Sequence, residues 1–297
     1  MNSPHVVVVG GGIMGSGIAI ALIRAGHSVA VIEPEEGVAA TLTRRLRDEA
    51  RRVEVGPAAL VTADLEPVTQ AAIVIEAAPE DLRLKMRLWE EIGRIAPARA
   101  ILASNTSSLN IDCLAECVPY PSRAVVTHWF NPAYEVQCVE VAPGSATSAW
   151  ALDKIVSFLK AARKKPIVVR NDAGFIANRI QFAAIREALL CVEEGAEAED
   201  VDAIVKSSFA PRLAALGPLA NADLGGLDTY LAIFETLRAA HGERFAPPRF
   251  LVDRVADGRR GVKAGEGIFQ YTDASARDLA ARRDRLLSRI IAVVDSG

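Results

Sequence analysis

The sequence predicts an α/β protein with a doubly wound, mainly parallel sheet, followed by an all-α C-terminal domain. Up to about residue 170, short apolar strands alternate with helical segments, the pattern of a parallel sheet covered by helices on both faces. After residue 171 the strand pattern ends and apolar residues recur at helical spacing. The 297 residues and the apolar fraction of 51% suffice for two domains with sizeable cores. We therefore expect a boundary near residue 171, between a domain of residues 1–170 and a helical domain of residues 171–297.

The N-terminal stretch has the order of elements that a dinucleotide-binding site requires. Four consecutive valines at 6–9 predict a strand buried on both faces. A glycine turn at 10–15 follows at once, and an apolar run at 18–25 then predicts a helix. The next apolar strand, at 29–32, ends on the acid Glu33. Strand, glycine turn, helix, strand and acid in this order predict a Rossmann-type nucleotide site.

Each residue of the turn has a physical role in that prediction. Gly10 permits a tight turn out of the strand, and Gly12 lets the backbone approach a pyrophosphate. Gly15 lets the helix pack closely on the strand, while Ile13 and Met14 complete the predicted cofactor loop. The helix N-terminus offers free N–H groups and the positive end of its dipole to phosphate.

Glu33 predicts which dinucleotide is bound. It lies 18 residues beyond Gly15, where a carboxylate can accept hydrogen bonds from the adenosine ribose hydroxyls. Because a carboxylate at this position would repel a 2′-phosphate, the sequence favours NAD over NADP. A GxGxxG motif alone is weak evidence, since glycines also form ordinary turns. The flanking strands, the helix and the acid carry the prediction.

The remaining elements follow from short apolar runs and helical periodicity. Strands are predicted at 72–75, 100–103, 125–127, 136–141 and 166–169, helices at 35–52, 81–95 and 147–163, and a turn-rich stretch at 57–70. In the C-terminal part, helices are predicted from residue 176 and at 199–208, 223–240, 247–257 and 275–294. Parallel sheets bind ligands beyond the carboxyl ends of their strands. The acids at 76–80 and the polar cluster at 104–108 should therefore open onto the same crevice as the glycine turn.

The composition excludes several classes of partner. A net charge of −3 provides no electrostatic footprint for DNA, RNA or an anionic membrane surface. No run of 18 apolar residues occurs and a strand begins within five residues of the start, so neither a spanning helix nor a signal peptide is expected. The four cysteines show no CxxC pair and no partner histidines at metal-ligand spacing. We expect reduced thiols, no metal site and a cytoplasmic protein.

One of the four histidines, His128, is a candidate for proton transfer. His5 and His27 begin strands and His241 precedes a glycine at a helix end, so these three are interpreted as structural. His128 lies at the carboxyl end of a strand, and Glu140 lies twelve residues later on the next extended run. Oxidising a secondary alcohol with NAD needs a base for the hydroxyl proton and a group that orients that base. His128 with Glu140 fits this role, although a hydrogen-bonded structural histidine would show the same residues.

Three neutral side chains could assist such chemistry. Ser107, Asn131 and Asn178 could orient a substrate oxygen or the nicotinamide. The same residue types also serve as turn or helix-cap residues, so residue type alone leaves their roles open.

Eight short motifs follow one another within residues 5–271. They are Gly10-x-Gly12-x-Met14-Gly15, Ser104-Asn105-Thr106-Ser107-Ser108-Leu109, His128-x-Phe130-Asn131-Pro132, Val139-Glu140-Val141, Asp172-x-Gly174-Phe175-Ile176-x-Asn178-Arg179, Gly217-Pro218, Gly226-Leu227-Asp228-Thr229 and Gly261-x-Lys263-x-Gly265-x-Gly267-x-Phe269. In this order and spacing they resemble the 3-hydroxyacyl-CoA dehydrogenase family, including its 3-hydroxybutyryl-CoA dehydrogenase and lambda-crystallin-like branch.

The resemblance implies an NAD-dependent dehydrogenase that oxidises a 3-hydroxy group to a ketone, or runs the reverse. It implies that His128 is the general base with Glu140 as its partner, and that Ser107 and Asn178 contact the substrate oxygen. The positions that match the family's NAD contacts are Glu33, Glu80, Lys85, Ser107, Asn131 and Lys263. The substrate would be a small molecule, either an acyl-CoA or a small hydroxy acid. The helical C-terminal domain would form a homodimer and close over the N-terminal domain.

Three departures from the family pattern leave the substrate open. The segment from Glu33 to residue 72 is shorter than in acyl-CoA enzymes and shows no counterpart of their CoA-contacting arm. An amphipathic segment at 275–294 resembles branches that act on carnitine, gulonate or pyridine acids. Trp129 and Ala173 replace a usual Phe and Pro and would change pocket shape. We therefore keep two alternatives: the same chemistry on a non-CoA 3-hydroxy acid or a carrier-bound substrate, and an inert, crystallin-like NAD(H)-binding protein.

Overall fold

The computed structural model describes residues 6–53 and 59–295. The chain divides into two compact units, of which the first ends at Ala184 and the second begins at Ile185. The first unit contains an eight-stranded sheet with its covering helices, and the second is helical. None of the helices in the described residues is long and apolar enough to cross a membrane. His5, interpreted above as structural, lies outside the described residues.

The sheet of the first unit has the strand order β3-β2-β1-β4-β5-β6-β7-β8. The strands are β1 (Val6–Val9), β2 (Val29–Ile32), β3 (Ala59–Thr62), β4 (Ile73–Glu76), β5 (Ile101–Ser104), β6 (Ala124–Trp129), β7 (Cys138–Pro143) and β8 (Lys165–Val168). Neighbouring strands are parallel except β6 and β7, which pair antiparallel. The order runs outward from β1 in both directions, as in a doubly wound sheet. The predicted fold class is therefore confirmed.

Helices cover the sheet and form the second unit. They are α1 (Ile13–Arg24), α2 (Glu36–Arg51), α3 (Leu82–Ile95), α4 (Ile111–Ala115), α5 (Ala149–Ala161), α6 (Ala177–Glu193), α7 (Ala198–Ile204), α8 (Ala210–Leu216), α9 (Pro218–Gly225), α10 (Leu227–His241), α11 (Arg249–Ala256) and α12 (Asp273–Asp295). A π-helical turn, Val205–Phe209, joins α7 to α8. The division between the two units falls within α6.

Besides α4, which was not predicted, three elements differ from the sequence prediction. β3 lies in the stretch predicted to be turn-rich and pairs with β2 at the edge of the sheet. None of its four residues is buried, and its apolar run of Ala59, Leu60 and Val61 is short. The helix predicted at 223–240 is two helices, α9 and α10, because Gly226 has a φ of 92° that interrupts the helix. The helix predicted at 199–208 continues through the π-helical turn into α8.

The central strands of the sheet are buried on both faces, as the run of valines predicts. Val6 and Val8 pack into one apolar cluster, and Val7 and Val9 pack into the other. The first cluster includes residues of α1 and α5, and the second includes residues of α3 and α4. The parallel pairing of β1, β2, β4 and β5 places their carboxyl ends at one edge of the sheet, where a ligand site is expected.

Candidate active site

The glycine turn after β1 brings backbone segments into close contact. Gly10 has a φ of 106°, and a Cβ there would lie 2.7 Å from the carbonyl oxygen of Ala77. A Cβ on Gly15 would collide with the carbonyl oxygen of Gly10, so the close packing of α1 on β1 requires glycine at this position. A Cβ on Gly12 would meet nothing within 4 Å, which leaves open space beside the N-terminus of α1.

A cavity of about 770 Å³ lies beyond the carboxyl ends of β1, β2, β4 and β5. This volume is within the range of about 300–1,000 Å³ that is typical of small-molecule sites. The predicted cofactor residues on its walls are Gly10, Gly12, Ile13, Met14, Glu33, Glu80 and Ser107. The glycine turn and the polar cluster at 104–108 therefore share one crevice, whereas Gly15 is buried behind the turn.

Glu33 is held by backbone N–H groups at the end of β2. Its Oε2 accepts a hydrogen bond from the N–H of Gly11 at 2.8 Å, and its Oε1 accepts one from the N–H of Glu35 at 2.9 Å. These bonds fix the carboxylate in the cavity wall, and each oxygen retains a lone pair for another donor. The arrangement fits a carboxylate that receives ribose hydroxyl groups.

Glu76 does not open onto the crevice, contrary to the expectation for the acids at 76–80. Its side chain is 1% exposed and its Oε1 lies 2.6 Å from the ammonium group of Lys85 on α3. The hydroxyl of Ser104 donates to its Oε2 at 2.7 Å, and Trp89 Nε1 donates to the same oxygen at 3.4 Å. A carboxylate at the end of a strand was expected to face the ligand, but Glu76 points toward α3, where a buried cation compensates its charge.

Glu80 connects this buried pair to the polar cluster after β5. Its Oε1 accepts hydrogen bonds from the Thr106 hydroxyl at 2.5 Å, the Ser107 N–H at 3.0 Å and the Ser108 hydroxyl at 3.1 Å. Partial burial raises the pKa of Glu80, but the hydrogen bond from Thr106 and the charge of Lys85 outweigh burial and set the pKa below its usual value. Glu80 is therefore an anion at neutral pH, and it anchors the loop that carries Ser107.

His128 and Glu140 lie directly opposite each other on β6 and β7. The Nδ1 of His128 is 2.8 Å from the Oε2 of Glu140, and both side chains are buried. The rings of Phe130 and Phe175 flank the imidazole, with centroids 4.7 and 5.5 Å from its own. The antiparallel pair thus brings the two side chains together, as the sequence predicts.

The second oxygen of Glu140 contacts the start of α6. Its Oε1 accepts hydrogen bonds from the N–H groups of Ile176 at 3.0 Å and Ala177 at 2.9 Å. Free N–H groups at the start of a helix favour a negative charge, so this end of α6 stabilises the carboxylate. In the same turn, Asn178 Nδ2 donates to the carbonyl oxygen of Ser107 at 3.3 Å. One set of contacts within the first unit therefore connects His128, Glu140, Asn178 and Ser107.

Besides Gly15, three predicted cofactor residues are not on the cavity wall. Lys85 lies beneath it, with its side chain 1% exposed. Asn131 is exposed and follows β6. Lys263 lies in the second unit, where its Nζ donates to Asp228 at 2.8 Å. The cofactor roles of these three residues remain predictions.

Asn105 and Phe175 belong to the site although the sequence did not single them out. Asn105 lines the cavity, and its Oδ1 accepts the N–H of Trp129 at 3.0 Å, next to His128. Phe175 is buried against the imidazole and has a φ of 48°. The polar cluster after β5 could have identified Asn105. Phe175 gives no such signal, because its role depends on a backbone conformation that residue type does not reveal.

Comparison with known proteins assigns both parts of the chain to one family. The model of the 3-hydroxyacyl-CoA dehydrogenase NAD-binding domain matches residues 5–173. The model of the 3-hydroxyacyl-CoA dehydrogenase C-terminal domain matches residues 174–271. The resemblance stated from the motifs is confirmed, and so is NAD as the cofactor.

Individual relatives extend the similarity over nearly the whole chain. A probable 3-hydroxybutyryl-CoA dehydrogenase of Bacillus subtilis is 33% identical and covers 93% of this chain and 100% of its own length. A 5-formyl-3-hydroxy-2-methylpyridine 4-carboxylate 5-dehydrogenase of Mesorhizobium japonicum is 30% identical over 98% of each chain. The crystal structure of a 3-hydroxyacyl-CoA dehydrogenase from Archaeoglobus fulgidus is 32% identical, with a TM-score of 0.82 over 97% of this chain and 99% of that one. On these matches the chain belongs to the 3-hydroxyacyl-CoA dehydrogenase family and is an NAD-dependent oxidoreductase that acts on CH–OH groups.

Proposed function

We propose that the protein oxidises a 3-hydroxyacyl-CoA to the 3-keto compound with NAD, or catalyses the reverse reduction. The observation that carries this proposal is the buried pair of His128 and Glu140, whose Nδ1 and Oε2 atoms are 2.8 Å apart. Family membership supports it, as does the 33% identity to the probable 3-hydroxybutyryl-CoA dehydrogenase over 93% of the chain.

His128 acts as the general base for the substrate hydroxyl proton. Glu140 accepts the Nδ1–H of the neutral imidazole, which leaves Nε2 with a lone pair for that proton. When His128 takes the proton, the adjacent carboxylate stabilises the imidazolium. Glu140 keeps its orientation because its other oxygen accepts the two N–H groups at the start of α6.

Ser107 and Asn178 orient the substrate oxygen. Ser107 lies on the cavity wall. Two hydrogen bonds fix its backbone, because its N–H donates to Glu80 and its carbonyl oxygen accepts from Asn178. The Ser107 hydroxyl is therefore a directed donor for the carbonyl oxygen of the keto compound. The half-buried amide of Asn178 provides a second neutral donor beside it.

The residues around the cavity fit NAD. The open space beside Gly12 and the free N–H groups at the start of α1 suit a pyrophosphate. The fixed carboxylate of Glu33 suits a ribose with free hydroxyl groups. When bound, the nicotinamide ring accepts or returns the hydride. The proposed cofactor residues are Gly10, Gly12, Ile13, Met14, Gly15, Glu33, Glu80, Ser107, Asn131 and Lys263, and the family resemblance adds Lys85, whose ammonium group faces protein oxygens.

A second candidate keeps this chemistry but changes the substrate to a non-CoA hydroxy acid or a carrier-bound thioester. Two observations favour it. The pyridine-carboxylate dehydrogenase of Mesorhizobium japonicum matches 98% of this chain. The helix α12 lies beyond residue 271, where the match to the family model ends. The buried pair of His128 and Glu140 argues against a third possibility, an inert NAD(H)-binding protein.

A substrate panel separates these candidates. The purified protein is mixed with NADH and either acetoacetyl-CoA, free acetoacetate or other free β-keto acids, and NADH oxidation is followed by absorbance. Oxidation confined to the CoA thioester supports the proposed substrate. Oxidation with the free acids alone supports the second candidate, and no oxidation with any compound supports the inert protein.

Two variants test the chemistry within that panel. We expect His128→Ala to lower kcat by about 10²–10⁴-fold, the usual contribution of a general base. NADH binding should be nearly unchanged, because His128 is not on the wall of the cofactor cavity. Glu140→Gln should lose much of the rate and shift its pH profile. Near-normal turnover by His128→Ala would contradict the assignment of the base.

We also propose a homodimer formed through the C-terminal helices. None of the side chains of α6 is buried in the single chain. Its apolar residues Phe182, Ile185, Leu189 and Val192 are exposed and recur at the spacing of one helix face. Such a stripe is typical of a helix that packs against a partner, and a second copy of this chain is the partner that the family resemblance implies.

Three further expectations accompany this proposal. We place the domain boundary near residue 171, and the matches to the two family models meet nearby, at residues 173 and 174. We propose a cytoplasmic protein, which is supported by four cysteines that are all free thiols. If the substrate is an acyl-CoA, the expected metabolic context is that of fatty acids.

A further inference from the structure

Lys85 is a buried cation beneath the cavity wall. Its side chain is 1% exposed, and its ammonium group donates to Glu76 Oε1 at 2.6 Å and to the carbonyl oxygen of Ala78 at 3.0 Å. The Oε2 of Glu80 lies 3.3 Å away. A lysine ammonium has three protons, and three protein oxygens surround this one. Lys85 therefore fills its hydrogen-bonding capacity within the protein.

Glu76 anchors Lys85 to the ends of two strands. The same oxygen that pairs with Lys85 accepts the N–H of Ala78 at 2.7 Å, and the other oxygen accepts the Ser104 hydroxyl. The Glu76–Lys85 pair thus connects the carboxyl ends of β4 and β5 to α3. A buried ion pair with these additional hydrogen bonds is geometrically restrained, because moving either charge leaves the other without compensation.

Glu80 connects the Glu76–Lys85 pair to the loop after β5. One of its oxygens faces Lys85, and the other accepts the hydroxyl groups of Thr106 and Ser108 and the N–H of Ser107. Lys85 therefore sets the orientation of Glu80, and Glu80 sets the backbone of Ser107. Within the described residues, the Ser107 hydroxyl has no protein partner, so it is available to a ligand in the cavity.

We propose that Lys85, together with Glu76, is a positioning residue: it orients Glu80 so that the loop of residues 106–108 presents the Ser107 hydroxyl to the substrate oxygen. This inference rests on the proposed function, and it assigns Lys85 an action through Glu80 and Ser107. The ammonium group of Lys85 faces three protein oxygens, and the third, Glu80 Oε2 at 3.3 Å, is the one through which it would act on the loop. A misplacement of about 1 Å at a reacting group can cost about 100-fold in rate.

The test compares Lys85→Met with Lys154→Met. Lys154 is the matched control, because its ammonium group donates to the carbonyl oxygens of Ala72 and Arg99, which are not on the cavity wall. For Lys85→Met we expect kcat to fall by about 100-fold and the Kd of NADH, measured by fluorescence, to rise by less than about tenfold, because Glu80 and Ser107 also line the cofactor cavity. Lys154→Met should change neither. A rise of about tenfold or more in the Kd of NADH with an unchanged kcat would instead make Lys85 a cofactor contact and overturn the proposal.

A double variant separates positioning from general stability. If Lys85 acts through Ser107, then adding Lys85→Met to Ser107→Ala should lower kcat no further. If the double variant instead showed the product of the two single losses of kcat, the inference would be contradicted. Should Lys85→Met fail to fold, Glu80→Ala replaces it, because Glu80 is partly exposed and the Glu76–Lys85 pair stays intact. The same loss of kcat and the same non-additivity with Ser107→Ala are then expected.

Amide hydrogen exchange tests the positioning role of Lys85 independently of catalytic activity. If the wild-type protein oxidises NADH with no compound of the panel, the proposed function fails. The N–H of Ser107 should still exchange faster in Lys85→Met than in wild type or Lys154→Met, because its acceptor Glu80 has lost its orientation. Equal exchange in the three proteins would overturn the positioning role, whatever the activity.

Discussion

At the scale of residues, four glutamates of the first unit differ in function because their partners differ. Glu33 accepts two backbone N–H groups and keeps free lone pairs toward the cavity. Glu76 is buried and compensated by Lys85. Glu80 anchors the loop after β5. Glu140 lies between an imidazole and the start of a helix. These residues are chemically identical in the sequence, and only the contacts around each carboxylate distinguish them.

Cofactor preference provides a prediction for Glu33. We expect wild type to bind NADP far more weakly than NAD. Glu33→Gln should lower the ratio of the Kd of NADPH to the Kd of NADH by about tenfold or more. Two like charges about 4 Å apart repel by about 1–4 kcal/mol near a protein surface, and the amide removes this repulsion of the 2′-phosphate. The Kd values of NADH and NADPH, measured by fluorescence, check it. Glu35→Gln is the control, and an unchanged ratio in Glu33→Gln would refute the role of this carboxylate.

The sequence predicts some of these residues and not others for a physical reason. Glu33 is predictable because a strand end and a fixed distance from the glycine turn locate it. His128 and Glu140 are predictable because they lie on neighbouring extended runs. Antiparallel pairing of such runs can bring two side chains opposite each other. The burial of Glu76 and Lys85 is not predictable, because it depends on how α3 packs against β4 and β5.

At the scale of elements, the carbonyl groups at the end of α3 accept hydrogen bonds from a residue outside the helix. Arg123 is 1% exposed, and its guanidinium donates to Gly93 O at 2.8 Å and Ala96 O at 3.4 Å, and also to Pro97 O. The last carbonyl groups of a helix have no partner within it, so a buried helix end needs an external donor. Arg123 provides that donor and fixes the helix that carries Lys85.

Stability should therefore depend on Arg123. We expect Arg123→Met to lower the free energy of unfolding by at least about 2 kcal/mol, because each buried acceptor left without a donor costs about 1–3 kcal/mol. Urea denaturation followed by circular dichroism measures this. Arg94→Met is the control, since Arg94 is an exposed residue of the same helix. Equal unfolding free energies for the two variants would show that the carbonyl groups find other donors.

The elements that the sequence predicted less well are short or depend on a single dihedral angle. β3 has four residues, none of them buried, at the edge of the sheet, and its apolar run of Ala59, Leu60 and Val61 is short. The break between α9 and α10 arises from Gly226, whose neighbours keep a helical pattern on both sides. The fully buried strand β1 agrees with the prediction because all four of its residues are valine, and the amphipathic helices α3 and α5 agree because many residues contribute to each pattern.

At the scale of the whole molecule, the two units differ in how completely they bury their apolar residues. Strands β1, β2, β4 and β5 of the first unit consist entirely of buried residues. In the described second unit, only Pro211, Ala215, Asp223, Gly226, Leu227, Leu251, Gly261 and Gly267 are buried. A helical part with so few buried side chains, and with an apolar stripe on the adjoining helix α6, fits an assembly in which a second chain supplies the missing contacts.

The oligomeric state is the prediction at this scale. We expect wild type to have the mass of two chains, and Phe182→Asp combined with Leu189→Asp to shift it to the mass of one, because two charges would be buried in the interface. Size-exclusion chromatography with light scattering measures this over a range of concentrations. Tyr120→Asp is the control, because Tyr120 is exposed to a similar degree but lies in the first unit. A monomeric wild type would contradict the homodimer.

The contact between Glu140 and the start of α6 has a consequence for the order in which the chain is completed during synthesis. The strands and the glycine turn are all translated by residue 168, so a nascent chain of that length already contains every residue that lines the cofactor cavity. The two N–H groups that fix Glu140 belong to residues 176 and 177, which are translated later. A nascent chain therefore contains the walls of the dinucleotide cavity before it acquires the means to orient its proton acceptor.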